Sequence, residues 1–356
     1  MDCLDVCYKK IGQIPVHLNV YAPLNLEAQS PYPRFPAVVY FHGGGLTVGN
    51  RTSWWPAWLE ARMVAAGFVF ISADYRLLPN CSVHEIIDDI KDLFVFLSQD
   101  NLCFKTESGC LFGINPNSLA VAGSSAGGMC AYLAAIHASP KPIAVLGMYA
   151  MGGNVLTSQS LTPKTEVFYR GRELLDLEEF AEFLYPKSKS LPTITDSPLA
   201  YWPTSHPTRP GWWKNPRMAL ARLYLQLGVI LDYCTGQHEP SLSARLRPLL
   251  DTTADPLALQ EAMKTHIPPE HHAIFPQLNV TEQFPPTFLC HGSEDGAVSV
   301  EESHHMHFLL KRAGVSVQLL VIEGANHSLD YVPNAEELYS SHFDEMAAFL
   351  IKLLKG

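Results

Sequence analysis

The sequence has no long apolar run. Its longest, such as Phe68–Ala73 and Phe288–Cys290, are strand-sized and far short of the ~20 residues that span a bilayer, so no membrane span is expected. Basic clusters are missing as well: 25 Lys and Arg stand against 35 Asp and Glu, a formal charge of -10. Nucleic acid is excluded as a partner on that ground, because phosphate binding needs grouped Lys and Arg. The eight cysteines (3, 7, 81, 103, 110, 130, 234, 290) show no CxxC spacing. Met1–Lys10 carries acids and Cys where a secretory leader has a basic stretch and an apolar run. Together these absences point to reduced thiols and a cytoplasmic location. Asn50-Arg-Thr52 and Asn279-Val-Thr281 fit the glycosylation pattern, which carries little weight without secretion. There is no internal repeat and no low-complexity tract.

What the chain does have is apolar mass: 47% of residues are hydrophobic and only 17% are charged, enough for a large buried core. At 356 residues the length favours one catalytic-sized core plus an insertion. Val6–Lys10 and Val16–Tyr21 read as an antiparallel edge pair. Ala37–Phe41 and Phe68–Ala73 follow as buried strands, with a helix expected over Ser53–Ala66 between them. Val83, Ile86, Ile87, Ile90, Phe94 and Leu97 recur at three- and four-residue steps, the mark of an amphipathic helix. Strand Leu119–Ala122, helix Ala126–Ala138 and strand Ile143–Tyr149 come next. After a long gap the pattern resumes with strand Thr287–Cys290, helix Val300–Ala313, strand Val315–Ile322 and a closing helix over Ala335–Leu354. Strands alternating with helices imply an α/β fold with a mainly parallel sheet covered on both faces.

The gap has a different texture. Helical segments are expected around Glu166–Tyr185, then a stretch stiffened by Pro192, Pro198, Pro203, Pro207, Pro210 and Pro216 with Trp202, Trp212 and Trp213 interspersed. Arg217–Cys234 and Asp255–His266 read as further helices, the second capped by Asp255 with Pro256 in its first turn. An excursion of this length is no plain connection. The expected organisation is a core of residues 1–151 and 286–356 with an inserted, mostly helical cap of residues 152–285.

Gly123-Ser-Ser-Ala-Gly127 fits G-x-S-x-G, the tight strand-to-helix turn that exposes a serine hydroxyl above a sheet. Three fixed positions at about 7% each recur by chance in about one chain of this length in ten, so the context must carry the assignment. A strand before and a small-residue helix after are what the turn requires. Ser125 is the expected nucleophile; Ser124, without the flanking glycine spacing, is the rival. His42-Gly-Gly-Gly45 follows a strand and leaves backbone N–H groups uncovered, which suits an oxyanion. Gly43, Gly44 and Ala126 are the expected donors, Ala126 also opening a helix whose N-terminus favours negative charge.

A serine hydroxyl needs a base, and the base needs an acid to orient it. Among 15 histidines, chain order selects His327, on the loop after the last strand, since this fold runs Ser, then Asp or Glu, then His. Asp295, after strand Thr287–Cys290, is the expected acid. Glu294 is the adjacent alternative, and Glu301 and Asp330 lie further out. His342 falls within the closing helix and reads as a surface residue, and His42 reads as structural. His304, His305 and His307 read as a solvated helix face, and no metal site is expected.

His42-Gly-Gly-Gly45, Asp74-Tyr-Arg-Leu-Leu-Pro79 and Gly123-Ser-Ser-Ala-Gly-Gly128 together resemble the hormone-sensitive lipase family of esterases and lipases. The resemblance covers Pro36–Gly152 and Pro285 to the end. It implies an α/β-hydrolase fold, a structural role for Arg76, and a cap over the site. Two positions depart from the family pattern: Ser124 stands where an Asp is usual, and Asn80 where a Glu is usual.

The function expected is hydrolysis of a carboxylic ester through an acyl-enzyme, by a triad of Ser125, Asp295 and His327, without cofactor or metal. The expected partner is a small-molecule acyl substrate, with a homodimer left open. Trp202, Trp212 and Trp213 are the substrate-contact residues expected from the insertion, with Tyr169, Tyr201 and Tyr224 as further pocket aromatics. Two rivals are weighed. One is biosynthetic chemistry on a bulky natural product, by thioester release, acyl transfer, or condensation or cyclisation. The other is a non-catalytic, receptor-like binding module, a type that lacks the catalytic His.

Overall fold

The computed structural model describes residues 3–24, 26–208, 211–253 and 255–356; Pro210 lies outside the described residues. The chain opens with β1 (Cys3–Ile11) and β2 (Ile14–Tyr21), followed by β3 (Arg34–Phe41), α1 (Ala57–Ala65), β4 (Val69–Ala73) and α2 (Val83–Leu97). Next come β5 (Phe104–Lys105), β6 (Leu111–Ser124), α3 (Ala126–His137) and β7 (Ala144–Met148). Short helices α4 (Ser158–Leu161), α5 (Leu220–Gln226), α6 (Ile230–Thr235), α7 (Leu242–Leu246) and α8 (Pro256–His266) lead to β8 (Thr287–Gly292). The chain closes with α9 (Val300–Arg312), β9 (Val317–Ile322) and α10 (Ala335–Lys355).

The strands lie in the order β1-β2-β4-β3-β6-β7-β8-β9, with β5 paired to β6. β1 and β2 are antiparallel to their neighbours, and the ladders from β4 through β9 are parallel. Every residue of β4, β7 and β8 is buried, as a parallel sheet covered on both faces requires. Alternation sorts the side chains between two cores. Val39, Phe41, Ile71 and Val121 face α2 and α3, while Val38, Tyr40, Phe70 and Ala122 face α1 and α10.

Among the described residues, the segment between β7 and β8 has no separate core. Leu220, Tyr224, Ile230, Leu246, Met263 and Phe275 belong to the same buried cluster as α2 and α3. Hydrogen bonds tie the segment to the glycine loop after β3. Gly49 and Ser197 exchange both backbone bonds at 2.8 and 3.0 Å, and the buried Arg217 donates from Nε to Thr47 O at 2.9 Å.

Some expected elements are shorter than their patterns. The helix expected from Ser53 begins only at Ala57, because Trp54 has φ 46° and Trp55 precedes a proline, which disfavours helical backbone. Arg217–Cys234 is broken into α5 and α6 at Gly228, which has φ 62°. Glu166–Tyr185 holds one regular piece, a 3₁₀ turn at Glu178–Phe183. Tyr169, Arg170 and Gly171 have φ of 49°, 62° and 68°, which no right-handed helix accommodates. The α8 cap is as expected, with Asp255 accepting from the N–H of Leu257 and Ala258.

Candidate active site

β6 runs directly into α3, and Ser125 is the single residue between them. Its φ of 54° and ψ of -123° lie outside the ordinary regions for a side-chain-bearing residue, at a cost of about 1–3 kcal/mol. The turn is held by the Ser125 N–H donating to Met148 O at 3.0 Å and the Ser125 carbonyl accepting from Gly128 N and Met151 N at 3.0 and 2.9 Å. No side chain fits on either flank: a Cβ on Gly123 would lie 2.0 Å from Gly127 O, and one on Gly127 2.0 Å from Phe41 O. The glycines of the motif are thus demanded by backbone approach between β6, α3 and β3.

Ser125 Oγ lies 3.1 Å from His327 Nε2, and His327 Nδ1 lies 2.6 Å from Asp295 Oδ2. A carboxylate can only accept, so Nδ1 carries the proton and Nε2 is left to accept from the serine hydroxyl. His327 follows β9, and Tyr149 meets its ring edge-on at 4.8 Å. Asp295 follows β8, with Oδ1 accepting from Ala297 N and Val298 N at 2.8 and 2.9 Å. Burial opposes its ionised form, but hydrogen bonds from His291, His327 and the backbone hold the carboxyl well below the usual carboxylate range.

His291 is the neighbour that chain order passed over. It is fully buried, and its Nε2 lies 3.1 Å from Asp295 Oδ2 and 3.0 Å from Val298 O. Both are acceptors, so Nε2 bears the proton while Nδ1 meets Ser303 Oγ at 2.7 Å. The same Asp oxygen therefore takes two imidazole donors.

The remaining candidates separate cleanly. Glu294 and Glu301 are exposed. Asp330 instead accepts from Tyr149 OH at 2.6 Å and Trp58 Nε1 at 3.3 Å. Ser124 Oγ is buried and bonded to Tyr40 OH at 2.7 Å. His42 stacks on Tyr75 at 4.4 Å, and burial pulls its pKa down to about 4. Arg76 holds Asp89 through Nε at 2.9 Å. His305 bonds Gly153 O at 2.8 Å, and among the described residues no group of three or more His, Cys, Asp or Glu converges on a metal position.

The glycine turn after β3 lies against the serine turn: a Cβ on Gly43 would be 3.3 Å from both Ser125 Cβ and Ser124 O. Among the described residues, the N–H groups of Gly43 and Gly44 donate to no backbone carbonyl. With Ala126 N at the start of α3, they are the available donors around the serine.

Two pockets meet at Ser125. One, about 710 Å³ including its mouth, is mainly apolar, with Met129, Met151, Leu225, Ile230 and Phe275 in its walls. Glu302 also lines it, its carboxylate tied up by the N–H groups of Gly152, Gly153 and Asn154 at 2.7, 2.9 and 3.2 Å. The other, about 800 Å³, contains His327, Gly43, Gly44, Tyr201, Trp213 and Arg222 among its walls.

Of the three tryptophans, the structure brings only Trp213 into either pocket. Tyr201 pairs with Trp213 across a small hairpin, and Trp202 N donates to Trp212 O. Trp202 and Trp212 line neither pocket, although the Trp212 ring lies 4.7 Å from that of Trp213. Trp202 packs on His206, and Trp212 is exposed. Tyr169 and Tyr201 reach the pocket, whereas Tyr224 is core, stacked on Tyr233 at 3.6 Å.

Comparison with known proteins agrees with this architecture. Residues 38–198 match the family described as alpha/beta hydrolase fold, and residues 247–356 match the prolyl oligopeptidase family. A thermophilic esterase from Thermogutta terrifontis superposes with a TM-score of 0.56 at 18% identity, over 99% of this chain and 92% of that one. The chain has the α/β-hydrolase fold. Among sequences, carboxylesterase NlhH of Mycobacterium tuberculosis is 32% identical over 48% of this chain and 50% of its own length. The non-reducing polyketide synthase ausA of Aspergillus calidoustus is 25% identical over 91% of this chain, a stretch amounting to 13% of that protein. The probable carboxylesterase M8 of a Phoma species is 27% identical over 41% of this chain and 46% of its own length. The chain thus spans half or less of the length of each of these relatives.

Proposed function

We propose that the protein hydrolyses carboxylic esters through a covalent acyl-serine. The observation that carries this is the hydrogen-bonded series Ser125–His327–Asp295, at 3.1 and 2.6 Å, beside the uncovered N–H groups of the glycine turn. His327 takes the Ser125 proton as Oγ attacks the carbonyl, and the N–H groups of Gly43, Gly44 and Ala126 receive the oxyanion. His327 returns the proton to the leaving oxygen, which departs as an alcohol. Water then enters, gives its proton to His327, attacks the acyl carbonyl and releases the acid, and the proton passes back to Ser125. Asp295 keeps the tautomer and stabilises the imidazolium. Residues 152–285 act as the cap that shapes both pockets. The apolar one takes the acyl chain. The pocket containing His327 takes the leaving group, since His327 must protonate it.

The test is a fluorophosphonate probe with peptide mapping, run beside a neutral short-chain aryl ester. The expected result is one adduct per chain on Ser125 and ester turnover. An adduct on Ser124, or none on folded protein, refutes the assignment.

A second reading has support from the polyketide synthase match, which extends over 91% of this chain. The same machinery would release a thioester or transfer an acyl group to a nucleophile other than water. Product analysis with a competing alcohol or amine separates transfer from hydrolysis.

A further inference from the structure

The wall of the leaving-group pocket carries Arg170, Arg172 and Arg222, and among the described residues no Asp or Glu lines it. This is unexpected in a chain of charge -10. None of the three makes an ion pair among the described residues, although Arg51, Arg62 and Arg76 each pair with carboxylates. Arg222 is the most telling. Only 3% of it is exposed, and its Nε and Nη1 are buried with no hydrogen-bond partner among the described residues. A buried, unpaired guanidinium is costly unless an anion completes it.

The arrangement is built rather than incidental. The Arg172 and Arg222 guanidiniums stand over the Trp213 ring at 5.1 and 4.9 Å. Stacking of this kind fixes a guanidinium through its face and leaves the in-plane N–H donors free for an oxyanion. Arg170 and Arg172 flank Gly171 in the turn closed by the Phe168–Arg172 bridge, which has three successive left-handed residues and places Tyr169 in the wall of the same pocket as Ser125. Burial, and then repulsion from Arg172, draws the Arg222 pKa down to about 10, so it remains a cation at neutral pH while meeting another cation nearby.

We propose that Arg222, with Arg172 and Arg170, binds an anionic group, carboxylate or phosphate, on the leaving half of the substrate. This rests on the acyl-serine reading for the direction of the substrate, because the arginines share their pocket with the proton-returning His327. The natural substrate class is then an ester or thioester with an apolar acyl chain and an anionic alcohol or thiol.

The test uses three pentanoyl esters that differ only in the leaving phenol: 4-hydroxybenzoate, 4-hydroxyphenyl phosphate and methyl 4-hydroxybenzoate. At least one anionic ester is expected to exceed the neutral one by tenfold or more in kcat/KM, about 1.4 kcal/mol. Which of the two leads identifies carboxylate or phosphate. The preference should fall toward unity in Arg222→Met. Arg172→Gln, at an exposed position, should reduce it where Arg222→Met fails to fold, with phosphonate labelling of Ser125 reporting an intact site. Equal rates for all three esters on protein that still labels at Ser125 overturn the anion site and leave the hydrolase reading standing. A preference for a carboxylate on the acyl half overturns the assignment to the leaving group. A separate arm needs no turnover: the Ser125→Ala protein is titrated with benzoate and with phenyl phosphate, following tryptophan emission. Saturable binding that is lost in the double variant with Arg222→Met supports the site even if ester cleavage proves absent, and no binding of either anion overturns it.

Discussion

Replacing Asp295 by Asn changes one atom's hydrogen-bonding sense in a place where every neighbour is fixed. Oδ1 accepts from two backbone N–H groups, of Ala297 and Val298, and Oδ2 faces the donors of His327 and His291. If the Asn oxygen keeps the backbone pair, its NH2 points at two imidazole N–H groups. His327 must then move its proton to Nε2, where it can no longer accept from Ser125. If the amide flips, the NH2 confronts Ala297 N and Val298 N, leaving buried donors unpaired at about 1–3 kcal/mol each. Neither orientation serves, and the tautomer fault alone costs about 10⁴ in kcat in comparable serine triads. Asp295→Asn is therefore expected to lose three to four orders of magnitude in kcat on a neutral aryl ester, by the same comparison about 4–5.5 kcal/mol of barrier. Glu294→Gln, at an exposed position, should stay within about threefold. Stopped-time ester assays with melting curves on both variants decide the matter. An Asp295→Asn protein that folds and keeps a tenth of wild-type kcat would refute the reasoning, as would a larger loss from Glu294→Gln.

Ser125→Ala and His327→Ala should each nearly abolish turnover, and the double variant should lose little more, because the pair acts as one unit; full additivity would show that they do not. His291→Phe removes one donor to the Asp295 carboxylate and should lower kcat by about tenfold with KM little changed, in line with about 1.5 kcal/mol for a bond to a charged acceptor. Substrate-panel assays should find leaving-group ranking altered in Trp213→Ala but unchanged within about threefold in Trp202→Ala, whose side chain lines neither pocket. The depressed Asp295 carboxyl contributes stability that is present above its unfolded value and is lost as pH falls through the folded one. The wild-type advantage over Asp295→Asn in urea melts should thus be widest above about pH 5 and narrow below about pH 4; a constant gap would contradict it.

Much of the core was legible because its signals are local. A strand, a tight turn and a small-residue helix are each written in a few adjacent residues, so Ser125 and the glycine turn could be read directly. His327 and Asp295 followed from chain order and from sitting just past strands. The role of His291 was not legible, since a donor to Asp295 four residues back is defined by a loop's path and not by a pattern. The arginines are still less visible: Arg170, Arg172 and Arg222 sit on an irregular turn and a broken helix, and only folding brings them to one pocket. The tryptophans could not be told apart for the same reason. Composition marks all three alike, and only the folded chain separates Trp213, which lines a pocket, from Trp202 and Trp212, which do not.

The paired bonds between Gly49 and Ser197, together with Arg217 on Thr47, bear on how such a protein can be re-engineered or diverge. The loop that begins at Gly43 and presents the N–H groups is stitched to the segment whose side chains line both pockets. Exchanging residues 152–285 for the corresponding stretch of a relative would break those stitches and leave Thr47 O and the Gly49 backbone without their partners. A chimaera that changes specificity without losing rate must therefore carry residues 43–49 along with the new segment, so the two stretches form one exchangeable unit despite the hundred or so residues between them.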